Sequence, residues 1–274
     1  MRTAVVGHVE CVEFASVARV PVAGEIVAAR RTWTAAAGGG GVAAVQLARL
    51  AGECTLYTAL GDDELGRRSR DELESLGVRV VAANRAGEST RRAFTFVDDD
   101  GERTITVLGE RLQPERDDPL PWDELGDVDA VYFTAGGADT LRAARAARTV
   151  VATARVMDVI VAAAVRLDAV VGSGADTAER YREYEPAPAL VVATAGAAGG
   201  TWTAAEGRTG KWAAASPPGP IADAYGCGDS FAAGLTFALA DGRETGDALE
   251  LAARCGAVCL TGHGPYERQL TLAR

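Results

Sequence analysis

The second half of the chain alternates between short apolar runs and helical patterns, and this alternation constrains the fold more than any other feature. Runs typical of strands and helices follow one another at 130–134, 141–148, 149–152, 159–167, 169–171 and 190–194. Strands that alternate with helices form parallel sheets with crossover helices on both faces. Residues 1–274 are therefore predicted to form one α/β domain with a doubly wound, mostly parallel sheet flanked by helices. In such sheets, ligands bind beyond the carboxyl ends of the strands.

The first half of the chain adds a second, smaller sheet to this prediction. Residues 93–97 and 103–108 alternate between apolar and polar side chains, and the Asp-Gly pair between them is a strong hairpin signal. Residues 9–31 lack helical periodicity and end in a strand-like run at 26–29. We expect a small β-sheet, which we call the lid sheet, with strands from about 10–35 and 90–110. Further predicted elements are a strand at 3–7, a glycine cluster at 38–41 that opens a helix ending at Gly52, a strand at 54–60 and a helix at 64–76.

The composition argues against several classes of partner. The 38 Asp and Glu residues outnumber the 28 Lys and Arg residues, which gives a net charge of −10. This charge argues against a nucleic-acid or acidic-membrane surface, so we expect small-molecule partners. The chain has no apolar run long enough to span a bilayer and starts on a strand-like segment without a signal-peptide pattern, so a cytoplasmic location is expected. The five cysteines form no C-x-x-C pair, which argues against a zinc cluster or a disulfide framework.

A glycine loop near the C-terminal end is the strongest candidate for the chemistry. Gly226 and Gly228 allow a tight turn, and apolar residues at helical spacing follow, so the loop is predicted to open a helix. The unpaired N–H groups and partial positive charge of a helix N-terminus suit an anion. Asp229 stands at this point, either as an ordinary N-cap or as a general base beside an anion hole. Since Lys211 is the only lysine and follows no Walker motif, backbone N–H groups and arginines must hold any phosphate.

Residues 223–231 read D-A-Y-G-C-G-D-S-F and resemble the D-T-x-G-A-G-D-x-F signature of the ribokinase-like (PfkB) carbohydrate kinase family. Further motifs follow in that family's order over essentially the full length: a glycine cluster that opens a helix, Gly61-Asp62-Asp63-x-x-Gly66, a lid hairpin, Thr194-x-Gly196-x-x-Gly199 and Gly262-His263-Gly264. The resemblance implies ATP-dependent transfer of the γ-phosphoryl group to a hydroxyl of a small sugar or sugar-like alcohol. Asp229 would be the general base, and the N–H groups around Gly226, Cys227 and Gly228 would stabilise the transferred group.

The resemblance also implies sites for the nucleotide and for cations. The residues that it assigns to the nucleotide are Thr194, Gly196, Gly199, Ser173, His263 and Gly264, with a simple turn residue as the alternative reading of His263. The family has Asn-x-x-Glu near Mg²⁺, whereas this chain has Ser-Gly-Ala-Asp at 173–176. Asp176 is therefore the expected Mg²⁺ carboxylate, acting through water. A monovalent cation such as K⁺ near Asp223, and a homodimer through the lid sheet, are implied in the same way.

The acceptor side departs from the family pattern. Val12 stands where the family has an aspartate, and residues 38–43 replace Gly-Gly-Lys-Gly-Ala-Asn, so groups that would hydrogen-bond ribose are missing. The sequence therefore argues against ribose itself. Arg91 and Arg92 would suit an anionic acceptor, but alternation puts them on opposite faces of a strand, so at most one points at the ligand. The alternative is that both are solvated surface charges. The candidate acceptor-binding residues are Glu10, Glu13, Gly39, Gly40 and Arg92.

Three other functions stay open at this point. A nucleoside acceptor fits the same family. The altered 173–176 segment and the depleted sugar side would also fit a protein that binds a sugar or nucleotide without transfer. A dehydrogenase that uses NAD is less favoured. Gly39-x-Gly41-x-x-Ala44 matches the dinucleotide fingerprint, with Asp62 about 20 residues further on, but these glycines do not follow the first strand.

Overall fold

Two β-sheets form the framework of the computed structural model, which describes residues 1–272. Within these residues the strands are β1 (Thr3–Val6), β2 (Glu10–Ser16), β3 (Arg31–Ala37), β4 (Cys54–Gly61), β5 (Val78–Arg85), β6 (Arg92–Val97), β7 (Arg103–Leu108), β8 (Ala130–Phe133), β9 (Thr149–Thr153), β10 (Ala169–Ser173), β11 (Leu190–Thr194), β12 (Gly200–Ala204) and β13 (Thr209–Trp212). The α-helices are α1 (Gly38–Ala51), α2 (Glu64–Ser75), α3 (Ala138–Ala144), α4 (Met157–Ala163), α5 (Cys227–Ala240) and α6 (Thr245–Cys259). None of these helices is both long and apolar enough to cross a membrane.

The large sheet has the strand order β13-β12-β11-β10-β9-β8-β1-β4-β5. The strands from β11 to β5 in this order pair in parallel, and β12 and β13 add an antiparallel edge. After β1 the chain builds one side of the sheet with β4 and β5 and then the other side from β8 onward. This arrangement confirms the predicted doubly wound, mostly parallel sheet. The carboxyl ends of its parallel strands lie along one edge, where such folds bind their ligands.

Alternating side chains of the parallel strands pack against helices on both faces of the large sheet. Val5, Leu56 and Tyr132 lie in the cluster formed with α1, α5 and α6 on one face. Their neighbours Val6 and Tyr57 lie in the cluster formed with α3 and α4 on the other face. All five side chains are fully or almost fully buried. A parallel sheet that is covered on both faces needs continuous apolar strands, which explains why these strands are visible in the sequence.

The lid sheet has the strand order β3-β2-β6-β7. β2 pairs antiparallel with β3 and parallel with β6, and β6 and β7 form the predicted hairpin, whose turn contains Gly101 (φ +75°). On the face toward the large sheet, Phe14 stacks on Trp33 and meets Tyr225 edge-on, both at 5.0 Å between ring centres. The hairpin turn reaches the same loop as Tyr225, because the Ala224 N–H donates to the Gly101 carbonyl (2.9 Å). The lid sheet therefore extends from the large sheet to the glycine loop before α5.

Some predicted elements differ from the structure. The strand-like run at 26–29 is not a strand, and Ile26 is fully exposed. The partner of β2 is instead β3, which pairs with it along the whole length of both strands. The helices predicted at 141–148 and 159–167 begin and end earlier, as α3 and α4, and Ala164 in a left-handed conformation (φ +53°) ends α4. Four further elements of the structure, β5, β12, β13 and α6, are not among the predicted ones.

The packing of α1 against the end of β1 depends on Gly40. A Cβ at this position would lie 2.6 Å from the His8 carbonyl oxygen and 2.9 Å from the carbonyl carbon of Gly7. These are backbone atoms that cannot rotate away, so α1 would have to move. We expect Gly40→Ala to lower the free energy of unfolding by about 1–3 kcal/mol, the usual effect of overpacking, as measured by urea denaturation.

Gly246→Ala is the matched control for this variant. Gly246 lies in the first turn of α6, with no atom within 4 Å of an added Cβ. Because alanine favours helix formation more than glycine does, this variant should be as stable as the unchanged protein, or more stable by up to about 1 kcal/mol. Equal stabilities of the two variants would contradict the close approach of α1 to β1.

Candidate active site

The loop before α5 presents backbone donors at the helix N-terminus. Gly226 adopts a left-handed conformation (φ +79°) directly before the helix, as the glycine pattern predicts. Within residues 1–272, the N–H groups of Gly226 and Gly228 have no acceptor, and the N–H of Cys227 has only a 3.5 Å contact with the Ala224 carbonyl. The helix N-terminus adds a partial positive charge. The loop thus has the donors that an anion hole needs.

Asp229 is the acidic side chain next to these donors, in the first turn of α5. It is partly buried, and its carboxylate has no hydrogen-bond partner within residues 1–272. Burial raises the pKa of Asp229 to about 6; the Glu179 carboxylate adds to this effect, and the charges of Arg103 and Arg155 oppose it. A carboxylate with raised proton affinity suits a general base that works near neutral pH.

The N-terminus of α1 meets the N-terminus of α5 at this carboxylate. A Cβ on Gly39 would lie 3.0 Å from Oδ1 of Asp229 and 3.3 Å from Oγ1 of Thr134. The Thr134 hydroxyl, directly after β8, is buried and has no hydrogen-bond partner in the described part of the chain. Because Gly39 has no side chain, Asp229 faces the start of α1 directly. These glycines follow β3 of the lid sheet, so the dinucleotide fingerprint lacks the parallel strand that it requires, and the dehydrogenase interpretation is not supported.

Asp223 ties two loops together next to the site. Its Oδ1 accepts the Tyr225 N–H and its Oδ2 accepts the Gly264 N–H, both at 2.8 Å. The residue is fully buried, and burial raises the pKa of Asp223 although both hydrogen bonds act in the opposite direction. Both carboxylate oxygens therefore hold the backbone in place. The monovalent cation expected near Asp223 stays a prediction.

The first group of residues assigned to the nucleotide lies at the carboxyl edge of the large sheet. Ser173 and Thr194 are register partners at the ends of β10 and β11. The loop after Thr194 is closed by a hydrogen bond from the Gly199 N–H to the Gly196 carbonyl (3.0 Å). Gly199 has a positive φ (+80°), and a Cβ there would lie 2.0 Å from the Trp212 carbonyl oxygen of β13. This tight turn therefore requires glycine, and it leaves the loop on the rim where the fold binds ligands.

His263 and Gly264 form a second group, beside the lid sheet. The exposed His263 ring packs edge-on against Trp33, with 6.1 Å between ring centres. A Cβ on Gly264 would lie 2.8 Å from Nε1 of Trp33, and the Gly264 N–H binds Asp223. These contacts are with the lid sheet and with the loop before α5, and the His263 N–H also donates to Oε2 of Glu267 (2.7 Å). Their assignment to the nucleotide stays a prediction.

Asp176 and Glu179 lie beyond β10 and fit a hydrated Mg²⁺. Both form ion pairs with Arg155, Asp176 at 3.0 Å. One oxygen of Asp176 also accepts the Ala178 N–H (2.9 Å). Mg²⁺ keeps several waters and is often held by one or two carboxylates together with substrate phosphates, which this pair can supply. Among the described residues, no group of three or more His, Cys, Asp or Glu side chains could hold a metal ion by itself.

The predicted acceptor residues of the lid lie on its two faces. Glu10 is buried on the face toward the large sheet, 3.3 Å from Nε of Arg91. Glu13 and Arg92 pair with each other on the outer face, where their side chains are 40% and 46% exposed. The predicted alternation of Arg91 and Arg92 is thus present, and Arg91 is the one that faces the site. Because the strand register puts Glu13 and Arg92 outside, nothing in the structure supports their contact with the acceptor.

Several polar residues of the site are not predicted by any sequence pattern considered above. They are His8, Arg103, Arg111, Arg155 and Glu179. Burial, and then the charge of Arg111, lower the pKa of His8 to about 3, so its ring is neutral. Arg103 begins β7, and its charge acts on Asp229 together with that of Arg155. Arg155 follows β9, and the rule that sites form at the carboxyl ends of strands would have pointed to it.

Cys227 occupies the place of the alanine in the family signature. A hydrogen bond with Cys259 and burial raise the pKa of Cys227, so its side chain is a neutral thiol. Its Sγ lies 3.9 Å from the Asp223 carbonyl, on the side of the buried loop. The part of Cys227 that can serve the site is therefore its backbone N–H.

A family profile and one relative of known function match this chain. The profile of the pfkB family carbohydrate kinases matches residues 2–164 and 135–271. An ATP-dependent ribose-1-phosphate kinase from Halopiger xanaduensis is 39% identical over 118 residues. This second match covers 40% of the chain and 38% of that relative, so it spans less than half of either protein.

Solved structures share the fold over nearly the full length. Ribokinase from Arabidopsis thaliana, complexed with ribose and ATP, is 18% identical with a TM-score of 0.74, and the match covers 97% of this chain and 95% of that one. Adenosine kinase from Sinorhizobium meliloti is 18% identical with a TM-score of 0.76, and the match covers 96% and 94%. These likenesses concern the fold, whereas the family profile spans nearly all of the sequence. The chain therefore belongs to the pfkB family of carbohydrate kinases.

Proposed function

We propose that this protein transfers the γ-phosphoryl group of ATP to a hydroxyl of a small sugar or sugar-like alcohol, with Asp229 as the general base. The observation that carries the proposal is the position of Asp229. Its carboxylate has no hydrogen-bond partner within residues 1–272, lies beside unpaired N–H groups and faces Gly39 at the start of α1. Phosphoryl transfer to an alcohol needs a base and an anion hole at one point.

In this reaction Asp229 accepts the proton of the acceptor hydroxyl as the hydroxyl oxygen attacks the γ-phosphorus. The bond from the γ-phosphorus to its bridging oxygen breaks, and ADP leaves with the electron pair. The N–H groups of Gly226, Cys227 and Gly228 stabilise the charge on the transferred group. The guanidinium group of Arg103, whose charge acts on Asp229, adds positive charge on the lid side.

The nucleotide would lie along the carboxyl edge of the large sheet. Ser173, Thr194 and the loop at 196–199 are at this edge, and family membership supports ATP as the phosphoryl donor. Asp176 and Glu179 would hold a hydrated Mg²⁺, which neutralises phosphate charge when it is bound. K⁺ near Asp223 is a further part of this proposal.

The acceptor would lie between the lid sheet and the start of α1, next to Glu10, Gly39 and Gly40. A nucleoside is a second candidate acceptor. Ile105 and Val107 favour it, because they are 41% and 45% exposed although their register partners in β6 are buried on the face toward the large sheet. Such apolar side chains, on the face of the lid sheet toward the large sheet, would suit the planar nucleobase of a nucleoside.

Two copies of the chain would pair through the outer face of the lid sheet. Phe94 and Phe96 lie on this face and pack edge-to-face, with 5.0 Å between ring centres. Leu108, the register partner of Arg92, is 41% exposed on the same face. Apolar surface of this kind supports an interface between subunits.

Asp229→Asn tests the proposed base. The substitution keeps the shape of the side chain but removes its ability to accept a proton, so we expect kcat to fall by about 10²–10⁴-fold. ADP release, coupled to an indicator reaction over a panel of sugars and nucleosides, measures this effect. Asp241→Asn at the C-terminal end of the same helix is the matched control and should keep full activity, because Arg243 at the surface is the only partner of the Asp241 carboxylate within residues 1–272.

The same assay separates the competing functions. Near-normal turnover by Asp229→Asn would refute the role of the base. Absence of ADP release with every acceptor, together with measurable binding of a sugar or nucleotide, would identify a non-catalytic binding protein. Both Asn variants should unfold at or above the temperature of the unchanged protein near pH 8, because neither removes a buried hydrogen bond.

The raised pKa of Asp229 predicts the pH dependence of the reaction. A general base must be deprotonated, so activity should be constant well above pH 6 and fall as the pH drops through the pKa of about 6. Below that value, kcat should decrease about tenfold per pH unit. A pH–rate profile at constant Mg²⁺ and ATP concentrations measures this dependence of kcat. A profile that stays flat down to pH 4.5, near the ordinary aspartate range, would contradict this assignment.

A further inference from the structure

The region between the lid sheet and the start of α1, where the acceptor would lie, holds two arginines that have only one carboxylate beside them within residues 1–272, that of Glu10. Arg91 and Arg111 lie at the two crossings between the large sheet and the β6–β7 hairpin, one directly before β6 and the other after β7. The Arg91 side chain is only 18% exposed and is balanced by Glu10 at 3.3 Å. Arg111 is partly buried and has no ion pair or hydrogen bond in the described part of the chain. A partly desolvated guanidinium group without an acid is unfavourable unless a ligand supplies the negative charge.

Two features of the buried polar atoms at this corner stand out within residues 1–272. Nδ1 of His8 has no hydrogen-bond partner, and Oε2 of Glu10 and Nε of Arg91 lie 3.3 Å apart in an ion pair without forming a hydrogen bond. Gly38 borders the same corner, since a Cβ there would lie 3.1 Å from the His8 ring and 3.2 Å from Cγ of Glu10. Buried polar atoms in folded proteins almost always have partners. The unpaired Nδ1 of His8 and an Arg91–Glu10 ion pair without a hydrogen bond, next to an arginine that has no ion pair, therefore indicate a site for a polar, anionic ligand.

The start of α1 connects this corner with the proposed base. Gly38 faces His8 and Glu10, and the next residue, Gly39, faces Asp229. Arg155 is common to the two ends. Its charge acts on Asp229 together with that of Arg103, and on Arg111 together with that of Arg91. A small molecule along these glycines would have one end at the base and the other at the Arg91–Arg111 pair.

We infer that the acceptor is a sugar monophosphate, and that Arg91 and Arg111 bind the phosphate group that it already carries. The inference rests on the proposed kinase function and names its substrate class. Guanidinium groups match phosphate oxygens in two-point contacts, and a phosphate group would supply the negative charge that Arg111 lacks while it also contacts Arg91. Glu10 and His8 are placed for the ring hydroxyls. Transfer forms the bond between a sugar oxygen and the γ-phosphorus, releases ADP and gives a sugar bisphosphate, with the hydroxyl proton on Asp229.

Matched pairs of acceptors test the substrate class. Ribose is compared with ribose 1-phosphate and ribose 5-phosphate, and fructose with fructose 1-phosphate and fructose 6-phosphate, by ADP release at constant ATP and Mg²⁺. We expect kcat/KM for at least one monophosphate to exceed that of its free sugar by about 100-fold, since two charge-assisted contacts are added. Calorimetric titration of the same compounds without ATP measures binding independently of turnover.

Substitutions of Arg111 test the subsite itself. Arg111→Gln should lower kcat/KM for the preferred monophosphate by about 10–100-fold, mainly through KM, and should lower that for the free sugar much less. Arg111→Lys keeps the charge but not the planar fork, so it should restore part of the loss. The control is Arg67→Gln on α2, whose arginine is 62% exposed and pairs with Glu64. Thermal unfolding shows whether each variant is folded, and Arg111→Gln should be no less stable than the unchanged protein.

The outcomes separate this inference from the proposed function. Equal turnover of free sugars and monophosphates, unchanged by Arg111→Gln, would overturn the inference and leave the kinase in place. Binding of a monophosphate that requires Arg111, without turnover of any acceptor, would support the subsite and overturn the kinase. Absence of both binding and turnover of every monophosphate would overturn the inference.

Discussion

The site depends on the absence of side chains at the start of α1. Gly40 lets the helix contact the backbone at the end of β1, and Gly39 lets it face Asp229. The N-termini of α1 and α5 therefore point toward one carboxylate, and their partial positive charges offset part of the cost of its burial. A side chain at either glycine would push α1 away and admit water, so the pKa of Asp229 would fall toward its ordinary value. The absence of side chains at the start of α1 thus contributes to the raised pKa of Asp229 in α5.

The arginine side chains of the proposed binding region are opposite in sign to the net charge of the protein. The chain carries a net charge of −10, yet arginines from several elements face the proposed binding region. Desolvation lowers the pKa of Arg111, and the like charges of Arg91 and Arg155 act in the same direction. Such a cluster is unfavourable by itself and becomes favourable when anions bind between its members. Anionic ligands should therefore stabilise the folded protein by mass action, in addition to serving as substrates.

Sequence patterns predict the parts of this structure that depend on side-chain burial and on the conformation of single turns. The parallel strands are apolar because both faces of the sheet are covered, and the turn at Gly226 requires glycine, so both are visible without coordinates. The other parts of the structure depend on contacts between residues that are far apart in the sequence. Residues 26–29 look as strand-like as β3, and only pairing with β2 distinguishes them. Alternation separates Arg91 from Arg92 but does not say which one faces inward. Arg111 lies in an irregular connection, and only the folding of the lid sheet brings it near Glu10.

The lid sheet links the two ends of the cleft. Its hairpin turn binds the loop before α5 through the Gly101 carbonyl, while Arg91 and Arg111 lie where the hairpin leaves and rejoins the large sheet. Any displacement of the hairpin would change the contacts at both ends together. Binding energy from the remote end of an acceptor could therefore be used to hold the lid sheet over Asp229 and to align the reacting hydroxyl. A neutral sugar that makes no contact with Arg91 and Arg111 would bind more weakly, even where its hydroxyl fits next to Asp229.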